Sequence, residues 1–229
     1  MGSQHIVASR WQRWLSYVTE VRLEETSSEY HSILAVNLVK GRHQLCSEKT
    51  IYSYDDKYDN FRLAFDQLDF EKYQWKRVLV LGLGLASVPY LLEKTFGLTM
   101  EYTAVELDTV VAELAHNYTL SGLESPVEVV IADAYHYLRL CQDQYDMIVM
   151  DVFAEDVIPQ KFQTEKFYRR LQECLTDDGI LLYNRLAMTA DDHTANVMFI
   201  SPFKAVFPQG DYLEVQQNWI VLNDTKFLK

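Results

Sequence analysis

Several things are scarce in this sequence of 229 residues, and each scarcity removes a class of function. Apolar runs are short. None spans a bilayer, so no transmembrane helix and no membrane partner are expected. The chain opens without an apolar signal segment, and Ile6 breaks the myristoylation pattern that Gly2 would begin. Cysteine occurs three times, as Cys46, Cys141 and Cys174. An odd number at such wide spacing fits neither a zinc site nor a disulfide framework, and a reducing, cytoplasmic location is the expectation. Positive charge is also short: 21 Lys and Arg face 33 Asp and Glu, a net charge of −12. A nucleic-acid backbone needs the opposite sign, so no nucleic-acid partner is expected. The cluster Lys166, Arg169 and Arg170 reads as the solvated face of a helix. His31, His43, His116, His136 and His193 show no ligand spacing; they read as surface or capping residues, and no metal is expected.

What is present is a globular chain, 48% hydrophobic and 24% charged, long enough to bury a sizeable core. Its texture changes near residue 70, which divides it into an N-terminal part, 1–70, and a larger part, 71–229. In the first, Trp11, Trp14, Leu15 and Val18 recur at helical spacing. Three short antiparallel strands follow, at 21–25, 32–38 and 43–46, with Lys40-Gly41 turning between the last two. Helical spacing returns at 58–68, with Phe61, Phe65 and Leu68 on one face. In the second part strands and helices alternate. Strands are expected at 78–81, 101–105, 127–132, 147–151 and 180–183, and helices at 88–96, 109–118, 135–141 and 165–175. Thr164 would cap the last helix and Asp178-Gly179 would end it. Such alternation implies a parallel sheet covered on both faces. The end breaks the pattern: 211–216 and 219–222 read as two strands joined by Gln217-Asn218, a closing antiparallel hairpin.

The most informative stretch is Val78-Leu-Val-Leu-Gly82-Leu83-Gly84-Leu-Ala-Ser87, with Glu106 closing the next strand. The glycines allow a tight turn between strand and helix where backbone can approach a ligand closely. A carboxylate about twenty residues on, at a strand end, can accept hydrogen bonds from both ribose hydroxyls. Together they describe a pocket for a nucleoside-containing cofactor at the carboxyl edge of a sheet. Ser87 in place of a third glycine, together with the closing hairpin, disfavours an NAD-dependent dehydrogenase.

A seven-stranded Rossmann-like sheet ending in an antiparallel hairpin resembles the class I fold of S-adenosylmethionine-dependent methyltransferases. Within that class the chain is similar to the spermidine synthase (polyamine aminopropyltransferase) family over nearly its whole length. The residues that carry the resemblance are the glycine stretch 78–84, Val105-Glu-Leu-Asp108, Ala132-Asp-Ala134, Tyr145-Asp-Met-Ile-Val-Met-Asp151 and Phe162-Gln-Thr-Glu-Lys-Phe-Tyr168. The N-terminal strands match the small β-domain that precedes the catalytic domain in that family. The resemblance implies S-adenosylmethionine, or its decarboxylated form, as cofactor. Gly82, Leu83 and Gly84 would line its amino-acid or aminopropyl side, and Glu106 and Leu107 its ribose. Asp133 would accept the adenine amino group, with Ala134 supplying backbone. Asp133 read alone is an N-cap, and Asp108 reads as a cap rather than a ligand. Asp151 would sit over the sulfonium and deprotonate or hold the attacking group. A homodimer assembled through the N-terminal region is also implied.

The chain departs from the family at defined points. The family's Gly-Gly-Gly-Asp-Gly loop has Leu85 at its acid position, and its Asp-Ser-Ser-Asp becomes Asp151-Val152-Phe153-Ala154. Glu155 and Asp156 lie close by, out of register. An ungapped alignment puts Ile51 and Asn60 where the family carries a polyamine-contacting Gln and Tyr. A polycation that loses its carboxylate partners has nothing to offset its desolvation. The expected function is therefore transfer, most simply of a methyl group, to a small acceptor less cationic than putrescine, with Leu85, Val152 and Phe153 as an apolar wall for a flatter one. Aminopropyl transfer to an unusual amine, and a nucleoside-binding subunit without catalysis, are the alternatives.

Overall fold

A computed structural model describes residues 6–48, 51–55, 58–154 and 156–229. The N-terminal part holds a short helix α1 (Arg10–Leu15), a four-stranded antiparallel sheet and a helix α2 (Asp59–Asp66). The sheet strands are β1 (Val21–Thr26), β2 (Leu34–Val39), β3 (Arg42–Ser47) and β4 (Ile51–Ser53), in that order. The fourth was not expected. Lys40 and Gly41 make the β2–β3 turn, both at positive φ.

The larger sheet comprises β5 (Arg77–Leu81), β6 (Glu101–Glu106), β7 (Val127–Ile131), β8 (Tyr145–Met150), β9 (Leu175–Leu186), β10 (Asp211–Val215) and β11 (Asn218–Leu222). Their order is β10-β11-β9-β8-β5-β6-β7; β5 to β9 run parallel, and β11 and β10 close the sheet antiparallel. The expected seven-stranded α/β architecture is therefore present. The central strands read as continuous apolar runs because both faces are buried. Val78 and Val80 pack with Phe61 and Phe65 of α2 on one face. On the other, Leu79 and Leu81 pack with Leu138, Tyr168 and Phe203. Alternate residues serve opposite cores, as a period of two requires.

The helices of this part are α3 (Ser87–Tyr90), α4 (Thr109–Tyr118), α5 (Ala134–Leu140), α6 (Glu165–Glu173) and α7 (Ala190–Val206). Asp108, Asp133 and Thr164 cap α4, α5 and α6 through their side-chain oxygens. The helix expected over 88–96 is α3 for one turn and then widens into π geometry over Leu91–Thr95.

Two boundaries and one helix differ from the expectation. Asp178-Gly179 does not end α6, which stops at Glu173. The two residues lie in a register shift of β9, between the pairs Tyr145↔Leu175 and Met147↔Ile180. The hairpin turn is Gln216-Gln217, with Gln216 at φ +53, because Asn218 already pairs with Val215. Helix α7 was missed: its apolar residues lack a clean stripe, and Pro202 lies inside it. Its start is nonetheless fixed by a capping box between Thr189 and Asp192.

The small sheet does not stand apart. Leu34, Val36 and Leu45 share a cluster with Val111, Leu114 and Tyr118 of α4, and Leu85 from the glycine turn fills its centre, fully buried. Helix α1 buries none of its residues. Trp11 and Trp14 stack with ring centroids 5.0 Å apart and remain more than half exposed. Cys46, Cys141 and Cys174 are free thiols. No helix among the described residues is long and apolar enough to cross a membrane.

Candidate active site

The carboxyl ends of β5, β6, β7 and β8 open into one cavity of about 780 Å³, lined also by Tyr30, His31 and Tyr54 of the N-terminal part. This is where an open α/β sheet holds its ligands. Gly82, Gly84, Glu106, Leu107, Asp133 and Ala134 all line it, as does Asp151. Leu83 does not, because its side chain joins the core beside α2. Leu85, expected as part of the acceptor wall, faces the small sheet instead. Val152 and Phe153 do line the cavity.

Gly82 is a glycine for two reasons. Its φ is +88, and an added Cβ would lie 2.4 Å from the carbonyl oxygen of Asp151. The close approach it permits is to this chain's own backbone, which brings the glycine turn and Asp151 together. The Asp151 N–H donates to the Leu81 carbonyl at 2.8 Å, which fixes the junction from the other side.

Glu106 is held by backbone. Its Oε1 accepts from the N–H groups of Leu107 and Asp108, at 2.8 and 3.0 Å, and its Oε2 accepts from Leu83 at 3.0 Å. Burial pushes its pKa above the ordinary glutamate value; these N–H groups, with that of Gly84, oppose the shift without cancelling it. A carboxylate has about four lone-pair sites, so part of its accepting capacity remains for a ligand.

Asp133 is both the cap that sequence reading weighed and a cavity residue. Its Oδ1 accepts from the His136 N–H at 3.1 Å, and its Oδ2 pairs with the Lys161 ammonium. Burial pushes its pKa up, but Lys161 and the His136 N–H outweigh it, so the carboxyl sits below the usual aspartate range.

Asp151 follows β8 directly and is held by side chains. Tyr58 donates its hydroxyl to Oδ2 at 2.8 Å, and the Asn184 amide donates to Oδ1 at 2.8 Å. Asn218 in turn donates to the Asn184 carbonyl oxygen at 2.9 Å. Burial raises the Asp151 pKa to about 6, with the bonds from Asn184 and Tyr58 pulling the other way. Burial and the neighbouring Asp151 charge push the Tyr58 hydroxyl well above its ordinary value, so it stays protonated and acts as the donor. The result is a carboxylate that is ionised at neutral pH yet basic enough to accept a proton.

The remaining walls near Asp151 are largely uncharged. Asn60, Asn184, Asn218 and Gln216 line the same cavity, and Asp59 pairs with Arg62 at 2.9 Å and accepts from the Gln216 amide at 3.3 Å. Tyr58, Asn184, Asn218 and Lys161 were missed by the sequence reading. Two signals were available: Asn184 is a polar residue inside the apolar run of β9, and Tyr58 opens the aromatic face of α2. The alignment position given to Asn60 is two residues from the tyrosine that reaches Asp151. The side chain of Ile51 and all of Glu155 lie outside the described residues. Asp156 is exposed and outside the lining, whereas His31 lines the cavity 4.0 Å from Asp108. On α6, Arg169 pairs with Glu165 and Arg170 with Glu173, away from the cavity.

Fold and cavity together define a Rossmann-like protein of the class I methyltransferase type. More narrowly, the spermine/spermidine synthase domain family matches residues 70–208, more than half of the chain, and the protein belongs to that family. A polyamine aminopropyltransferase of Vibrio vulnificus is 30% identical over 112 residues, covering 48% of this chain and 37% of that protein. An N-terminal histidine N-methyltransferase of Emericella nidulans is 31% identical over 137 residues, 57% of this chain and 23% of that one. The chain thus spans well under half the length of these two relatives. Human methyltransferase-like protein 13, solved in complex with SAH, superposes with a TM-score of 0.60 at 23% identity, over 74% of this chain and 81% of that one.

Proposed function

We propose that the protein is an S-adenosylmethionine-dependent transferase that moves a methyl group to a small acceptor carrying at most one positive charge. The observation that carries this reading is Asp151: a basic carboxylate, fixed by Tyr58 and Asn184 against the glycine turn, with no acid at Val152, Phe153 or Ala154 beside it. Relatives named for aminopropyl transfer and for methylation, and a structural neighbour solved with SAH, support a donor of this type.

The donor set fits such a group. Glu106 retains accepting capacity for ribose, Asp133 lies along the same wall, and the acid-rich lining complements a sulfonium. When bound, S-adenosylmethionine supplies an electrophilic carbon on that sulfonium. Asp151 orients the acceptor by accepting a hydrogen bond from its nucleophilic N–H or O–H, and takes the proton as the nucleophile's charge develops. Tyr58 and Asn184 keep the carboxylate oxygens in place, so little reorganisation accompanies the step. Phe153 and Phe162 add apolar surface to the lining. A second acid is missing from Val152-Phe153-Ala154, and the glycine turn carries no acid side chain, so a polyamine would leave charges unpaired.

The test is turnover of methyl-labelled S-adenosylmethionine against a panel of monoamines, amides and phenols, with putrescine and spermidine alongside. Label transfer to a singly charged or neutral acceptor is the expected result. Absence of transfer to any acceptor, with the donor still bound, would favour a binding subunit.

A further inference from the structure

Lys161 is the one lysine among the described residues that line the cavity, and its ammonium pairs with Asp133, the carboxylate at the wall formed by β7 and α5. Two contacts fix it. Besides Asp133, the ammonium lies 5.0 Å from the ring centroid of Phe162, itself buried. The short 3-10 turn Gln160–Phe162 that carries Lys161 is held in place as well: the Gln163 amide donates to the Ile158 carbonyl at 2.7 Å, and the buried Arg185 donates to Gln163 at 3.1 Å. The Lys161 side chain remains 42% exposed, so these contacts orient the ammonium and leave it accessible to a ligand.

The pair sets a carboxylate acceptor and an ammonium donor side by side, with the backbone of Ala134 next to the carboxylate. An adenine edge presents the complementary pattern: the exocyclic amino group donates, and N7 beside it accepts. We propose that Lys161 is a nucleobase-recognition residue, donating to N7 of an adenine whose amino group is accepted by Asp133. This rests on the nucleoside-binding reading given above. A 6-oxo purine reverses the pattern at the amino position and would place an acceptor against Asp133, so the pair also selects adenine over hypoxanthine.

The test is calorimetric binding of S-adenosylhomocysteine and its 7-deaza analogue to the wild-type chain, Lys161→Met and Lys161→Arg. Wild type should prefer the parent ligand over the 7-deaza form by roughly five- to tenfold, the scale of one partly exposed charge-assisted hydrogen bond. Lys161→Met should bind both equally and weakly, and Lys161→Arg should recover part of the preference. Parent-ligand affinity in Lys161→Met equal to or above that of wild type would overturn the proposal and make the ion pair a mere closure of the cavity. Failure of the wild-type chain to bind either compound would instead overturn the nucleoside-binding reading, and this inference with it.

Discussion

The two ends of the cavity hold their carboxylates by different means. At the end of β6, Glu106 is fixed by the N–H groups of Leu83, Leu107 and Asp108, all within or beside two adjacent strand ends. At the end of β8, Asp151 is fixed by Tyr58 and Asn184, which lie 93 and 33 residues away in sequence. Backbone donors are indifferent to side-chain identity, so the first end depends on a turn and a carboxylate and little else. Side-chain donors are specific, so the second end depends on the identities of Tyr58 and Asn184.

If that contrast holds, Asp151→Asn has the largest effect. The change is nearly isosteric, so donor binding persists while turnover falls by roughly a hundredfold or more, the scale of a lost general base. With a folded pKa of about 6 against about 3.9 unfolded, Asp151 binds more protons in the folded state between those values. Its contribution to stability is therefore present at low pH and lost as pH rises through about 6. Melting curves of the ligand-free wild type and of Asp151→Asn should diverge across that window, and parallel curves would remove Asp151 as the buried base.

The next effect belongs to the other end. Glu106→Gln keeps one acceptor oxygen but sets an amide donor against backbone N–H groups, so affinity for S-adenosylhomocysteine should fall about ten- to a hundredfold. Glu106→Ala would remove the acceptor of all three N–H groups and cost stability as well. Unchanged affinity in the Gln variant would take Glu106 out of the site.

Smallest is Tyr58→Phe. It removes one hydrogen bond to the ionised Asp151, worth about 1.5 kcal/mol, so turnover at neutral pH should drop roughly tenfold. Because that bond holds the Asp151 pKa down, the midpoint of the pH–rate profile should move upward. A drop in rate with an unmoved midpoint would mean that Tyr58 shapes the cavity without touching the base.

The same contrast explains what was legible in sequence. The glycine turn, Glu106, the Asp133 cap and the strand alternation are written in local pattern, and the structure has them at the expected edge. Asp151 was readable because it ends an apolar strand. Its partners were harder: Asn184 stands out as a polar residue in the apolar run of β9 and Tyr58 opens the aromatic face of α2, but neither pattern says which distant carboxylate the side chain will meet. Leu85 was assigned to the cavity wall from its position in the loop, but the neighbouring small sheet offered a deeper apolar site and took it. Helix α7 escaped because its fixed point is a capping box rather than a stripe. In Trp11 and Trp14 the helical spacing was read correctly, yet neither ring is buried by the rest of the chain.

The central claim concerns the donor: a glycine turn without an acid side chain should favour the full methionine group over a bare aminopropyl ammonium. Titration calorimetry with S-adenosylmethionine, decarboxylated S-adenosylmethionine and methylthioadenosine tests it most directly. S-adenosylmethionine should bind tightest. Preference for the decarboxylated form would contradict it and return the protein to aminopropyl transfer.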